Sequence, residues 1–126
     1  MIKPDQIELL NDLSQSEYNG RYYDLHNDFN CQSIEFTPLN TFVLKFCHNS
    51  LKNKLSLTFH DVQVESFKFF NSNDVDGLTI DTLYRGRAEH NGRLLEFLHS
   101  NLGYFYLEFY EGQKVEFWSS GISIGT

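Results

Sequence analysis

Two prolines and two cysteines are all that this chain of 126 residues contains, and each scarcity removes a class of protein. With so little proline, and no Gly/Ser-rich or low-complexity run, there is no linker at which a second domain would begin. A single domain over 1–126 is expected. Cys31 and Cys47 have no Cys-x-x-Cys spacing, so neither a disulfide scaffold nor a zinc or redox motif is indicated. Two buried, reduced thiols are the plain reading, and they fit a reducing cytoplasmic compartment.

Basic residues are also in short supply. Ten Lys and Arg face seventeen Asp and Glu, a formal net charge of −7. Nucleic-acid binders neutralise phosphates with clustered Lys and Arg, whereas the densest basic group here is Arg85, Arg87 and Arg93 around one expected turn. No nucleic-acid partner is expected; a basic protein partner would be met faster because of the acidic balance. No stretch approaches the ~18 consecutive apolar residues of a membrane span. The opening MIKPDQIELLNDLSQSE lacks the apolar core of a secretory signal. The expected setting is therefore cytoplasmic, with no membrane partner.

Catalytic signatures are missing as well. There is no GxGxxG, P-loop, GxSxG or kinase motif. The histidines at 26, 48, 60, 90 and 99 include no zincin spacing and no HxH or HxxxH pair. His60-Asp61 has the letters of a metal-phosphohydrolase dyad, but those enzymes are helical around it, whereas KLSLTF (54–59) alternates as a strand. A polar pair at a β-bulge or strand break is the simpler account. His26-Asn27-Asp28 supplies an acid and a base without a nucleophile at an informative spacing, and reads more simply as a solvated turn. Residues 72–77, SNDVDG, imitate a calcium loop, yet Leu83 would fall where a bidentate Glu is required. An Asn/Asp-rich turn explains them better. No catalytic residue, metal ligand or cofactor is assigned, and the reading leans against an enzyme.

What the chain does have is aromatic rings: twelve Phe and seven Tyr. Rings favour the pleated, half-buried surfaces of sheets. A chain this long buries roughly two-thirds of its unfolded surface, enough for a core without metal or disulfide. Pro4, the acids Asp5 and Glu8, and the stripe Ile7, Leu10 and Leu13 predict a helix over about 4–16. Residues 21–31 are ambiguous between a short helix and a strand approach. From about 33 to 124 the period is that of strands, roughly seven to nine of them. They include 33–36, 41–48, 54–59, 66–70, 78–84 and 93–99, with His90-Asn91-Gly92-Arg93 as a tight hairpin turn. The helix precedes the strands rather than alternating with them, so parallel βαβ units are not expected. The predicted fold is mainly β: an antiparallel meander forming a β-sandwich or a curled sheet, with one N-terminal helix packed on it.

The clearest pattern is GYFYLEFYEGQKVEFW (103–118). Phe105, Leu107, Phe109, Val115 and Phe117 share one face. A two-residue turn would set odd positions opposite even ones and send core residues into water. A three-residue loop, Tyr110-Glu111-Gly112 with Gly112 left-handed, keeps parity. It pairs Leu107 with Val115, Phe105 with Phe117, Glu108 with Lys114, Tyr106 with Glu116, and Tyr104 with Trp118. The neighbouring register would oppose Glu108 and Glu116, which like-charge repulsion disfavours. The second face then holds Tyr104, Tyr106, Glu108, Glu116 and Trp118. Either another layer of the protein covers these rings, or they form a partner-binding surface of the kind in which Tyr and Trp are enriched.

Three segments, LHNDFNCQSIEF (25–36), KLSLTFHDVQVESFKF (54–69) and GYFYLEFYEGQKVEFWSSGISI (103–124), resemble small bacterial β-rich proteins of polymorphic-toxin immunity families. The resemblance implies a non-catalytic cytoplasmic protein that blocks a toxin, its partner a basic toxin domain. The alternative is a small ligand-binding or hydrolytic β-domain with a Tyr/His-lined pocket that uses His26 or His60. Dimerisation through an exposed edge strand is a third expectation.

Overall fold

The computed structural model describes residues 1–4, 14–18, 20–70, 77–90, 93–96, 98–99 and 101–125. Their strands, in chain order, are β1 (Gln15–Tyr18), β2 (Arg21–Asp24), β3 (Phe29–Phe36), β4 (Phe42–His48), β5 (Lys54–His60), β6 (Gln63–Lys68), β7 (Ile80–Arg85), β8 (Arg87–His90), β9 (Arg93–Glu96), β10 (Leu98–His99), β11 (Leu102–Phe109), β12 (Lys114–Ser119) and β13 (Gly121–Gly125). Every pairing between them is antiparallel. One sheet has the order β13-β5-β4-β3. The other has the order β10-β11-β12-β6, with β7 also pairing β11. β1–β2 and β8–β9 are separate hairpins.

Alternation explains why the two sheets face each other. Phe42, Leu44 and Phe46 of β4 and Leu55, Leu57 and Phe59 of β5 are buried, as are Phe105, Leu107 and Phe109 of β11 and Val115 and Phe117 of β12. Their rings meet across the sandwich: Phe59 lies 5.4 Å from Phe105 and 4.9 Å from Phe117, and Phe42 lies 5.3 Å from Phe117. All three contacts are edge-to-face, the arrangement ring quadrupoles favour. Each such ring withdrawn from water contributes about 1.5–3 kcal/mol.

The change of phase at His60-Asp61 is where the chain leaves one sheet for the other. Asp61 takes a left-handed φ of 51°, ending β5 and starting β6 in the opposite layer. The chain crosses back between β12 and β13, immediately beside the first crossing. Ser120 N–H donates to the His60 carbonyl at 2.9 Å, the Ser119 hydroxyl reaches the same oxygen at 2.8 Å, and the Ser120 hydroxyl donates to Asp61 Oδ2 at 2.6 Å.

Two expectations need correction. Strands begin at Gln15 rather than near 33, and they outnumber the seven to nine expected. The helix predicted over 4–16 fails at its end, since Gln15 and Ser16 belong to β1; residues 5–13 lie outside the described residues. Gly20 has φ 77° and Tyr18 pairs with Arg21, so the chain reverses between them; Asn19 lies outside the described residues. A two-residue connection between paired strands requires an extended partner on its N-terminal side. Residues 21–31 resolve accordingly into β2, a turn and the start of β3. The expected turn at 90–93 is present in the register, which pairs His90 with Arg93; Asn91 and Gly92 lie outside the described residues. Among the described residues no helix is long and apolar enough to cross a membrane.

Candidate docking face

With odd positions of β11 and β12 turned inward, even positions turn outward. The hairpin closes as expected: Phe109 N–H donates to Gln113 O at 2.8 Å, Gly112 N–H to Phe109 O at 2.9 Å, and Gly112 has φ 103°. Leu107 pairs with Val115, Phe105 with Phe117, Glu108 with Lys114, Tyr106 with Glu116, and Tyr104 with Trp118. Tyr104, Tyr106, Glu108, Glu116 and Trp118 therefore share one outer face. Each is half-buried, keeping part of its surface in solvent.

The rings on this face hold one another. Tyr104 meets Trp118 edge-on, centroids 5.1 Å apart. Tyr106 stacks on Tyr84 of β7 at 5.2 Å with planes 16° apart. The polar tips are tied to carboxylates: the Tyr106 hydroxyl donates to Glu108 Oε2 at 2.6 Å, and Trp118 Nε1 donates to Glu65 Oε1 at 3.0 Å. Lys114 Nζ stands 6.0 Å from the Tyr106 ring centroid, within cation–π range.

These neighbours set the protonation of the phenols. Burial pushes Tyr104 up to about 12, helped by the carboxylates of Glu116 and Glu65 and a hydrogen bond to Glu116. Tyr106 is also raised, first by its hydrogen bond to Glu108, then by burial and the charge of Glu108. Both phenols stay neutral donors at physiological pH. The face thus combines flat apolar area with negative charge at its Tyr104–Trp118 end, where Glu65 and Glu116 converge.

Tyr84 and Glu65 were not legible from parity. In LTIDTLY (78–84), Ile80 and Tyr84 fall on one face of a regular strand. A register shift opposite Glu108/Phe109 sends Ile80, Leu83 and Arg85 inward and Tyr84 outward. Glu65 is the extra residue where β6 shifts register against Glu116/Phe117.

The other candidates lie elsewhere and do not combine. His26 occupies the β2–β3 turn and its Nδ1 is 2.5 Å from Ile80 O, an arrangement that places the proton on Nδ1. In the same turn, burial alone would raise the Asp24 carboxyl, but hydrogen bonds from Asn27 and Gln15 outweigh it and hold the group below its usual range. His60 Nε2 contacts Ser123 Oγ at 2.7 Å while Asp61 accepts from Ser120, so the two side chains of the apparent dyad serve different partners. His48 Nδ1 accepts the N–H groups of Ser50 and Leu51 at 3.1 and 3.0 Å, closing the β4–β5 turn. The side chains of His90 and His99, and residues 72–76 of the calcium-like loop, lie outside the described set. Cys31 and Cys47 are free and buried, and burial pushes the Cys31 thiol up to about 12. Among the described residues no group of three His, Cys, Asp or Glu side chains is placed to hold a metal ion.

No family model, curated protein or solved structure matches the chain.

Proposed function

We propose that this chain is a non-catalytic protein-binding module that docks a basic partner on the outer face of β7, β11 and β12. The observation that carries the reading is the contiguity of Tyr84, Tyr104, Tyr106 and Trp118 with Glu65, Glu108 and Glu116 on one sheet face. Rings locked by mutual contact lose little freedom on binding, so their apolar area converts efficiently into affinity. The carboxylates favour a cationic partner and speed encounter. The finer reading is an immunity protein in the cytoplasm that covers the basic active-site cleft of a toxin domain. The resemblance of residues 25–36, 54–69 and 103–124 to such families and the net charge of −7 support it.

Binding to a toxin domain encoded beside the chain, measured by calorimetry, tests the proposal. Trp118→Ala and Tyr106→Ala should each weaken it by about 2 kcal/mol, close to thirtyfold. Full affinity in both variants would reject the face as the site.

A further inference from the structure

Away from that face, the edge strands β3 and β6 lie side by side across the sandwich. A hollow of about 350 Å³ opens between them, within the range of small-molecule pockets. Its wall is a run of phenylalanines. Phe36 on β3 meets Phe67 on β6 edge-on at 5.8 Å, Phe67 stacks on Phe69 at 4.6 Å, and Phe70 completes the row. Phe36, Phe67 and Phe70 are 45%, 55% and 48% exposed, although rings of this size are ordinarily withdrawn from water.

The polar part of the lining is as specific as the wall. Gln113 is fully buried, and its Nε2 donates to Phe70 O at 3.0 Å. Only the nitrogen end of an amide can donate to a carbonyl, so this bond fixes Oε1 as the group left over. Among the described residues Gln113 Oε1 has no hydrogen-bond partner, and Gln113 lines the hollow. Buried polar atoms are almost always paired, and an unpaired one beside a concavity marks a place where a ligand supplies the missing partner. No charged side chain lines the hollow among the described residues.

We propose that the β3–β6 hollow binds a small, planar aromatic molecule with an N–H or O–H donor on its rim. The ring slots against Phe36, Phe67 and Phe70, and the donor is received by Gln113 Oε1. This site is independent of the docking face, and each proposal can fail without the other.

Two probes of nearly the same shape test it on the intact chain: indole, which carries one N–H, and 1-methylindole, which does not. In heteronuclear NMR titrations, indole should give saturable shifts at the Ser33 and Phe67 amides and the Gln113 side-chain amide, with Kd of about 1 mM or tighter. 1-Methylindole should bind about fivefold more weakly or worse, having no donor for the buried acceptor. Phe67→Ala, which removes an exposed ring, should weaken indole to a similar degree, whereas Trp118→Ala should leave it unchanged. The proposal is overturned by the absence of saturable shifts up to the solubility of indole, by equal affinity for the two probes, or by shifts that map elsewhere. The comparison of the two probes needs no variant, so it stands even if a substitution disturbs folding.

Discussion

Tyr104 lies over Gly86: its ring fills the place where a side chain on that glycine would stand, and its carbonyl accepts the Gly86 N–H. A Cβ built at Gly86 would run into the ring edge of Tyr104, with Cε1 and the backbone oxygen both at 3.0 Å. A ring laid across a bare stretch of backbone shields the β7–β11 ladder from water and seats the tyrosine against Trp118. Gly86→Ala should therefore lower stability by about 1–3 kcal/mol through overpacking and change the environment of the single tryptophan. Chemical denaturation followed by Trp118 fluorescence measures both effects. A variant as stable as the parent, with an unchanged emission spectrum, would show that the ring is not seated there.

The two raised phenols make a prediction about alkaline stability. A tyrosine that holds its proton more tightly when folded stabilises the native state at every pH below the unfolded value of 10.0. That contribution is lost as pH rises from about 10 towards the folded value of about 12 for Tyr104. Stability should accordingly fall through this window, and Tyr104→Phe should flatten the fall. In spectrophotometric titration of the native protein, Glu108→Gln should lower the pKa of Tyr106, because the carboxylate acceptor is the main cause of its shift. An unchanged titration curve would remove the Tyr106–Glu108 bond from the description of the face.

Neighbours on one strand give a direct test of which way β12 faces. Phe117 is fully buried against Phe42, Phe59 and Phe105, whereas Trp118 is half-exposed on the outer side. Phe117→Ala should destabilise by about 3–5 kcal/mol. Trp118→Ala should destabilise by about 1 kcal/mol, as for surface positions with few buried contacts. Urea unfolding of both variants measures the contrast. Equal losses would mean that the register of the last hairpin is wrong.

The cysteines should be inert in the native state. Cys31 is buried with its thiol pushed up to about 12, so almost no thiolate is present near neutrality. Ellman's reagent at pH 8 should label Cys31 only as fast as the protein unfolds. Rapid labelling of Cys31 in native conditions would show that the β3–β4 layer is open.

The regular strands were legible in the sequence and the devices that interrupt them were not. Phe105, Leu107, Phe109, Val115 and Phe117 announce their face by strict alternation, and charge repulsion between Glu108 and Glu116 selects the register, so that hairpin followed from local physics alone. Tyr84 was lost to a register shift in β7, and Glu65 to one in β6, because an inserted residue reverses parity without changing composition. The stripe of Ile7, Leu10 and Leu13 pointed to a helix reaching residue 16, whereas Tyr18 pairs with Arg21 around a left-handed Gly20 and draws Gln15 and Ser16 into a hairpin. The β3–β6 hollow left no signature at all: Gln113 becomes a neighbour of Phe36, Phe67 and Phe70 only when two distant edges are brought together.

The His60 carbonyl receives the N–H of Ser120 and the hydroxyl of Ser119, partners separated from it by about half the chain. Both passages between the layers are stitched at this one oxygen, so the corner cannot assemble piecemeal: it requires closure of a loop of 59 residues. Loop entropy must be met before any of these bonds is rewarded. The barrier to folding should accordingly sit at this closure, with the local hairpins β3–β4 and β11–β12 forming early and the seam last. Weakening Ser119 or Ser120 would then quicken unfolding far more than it slows folding.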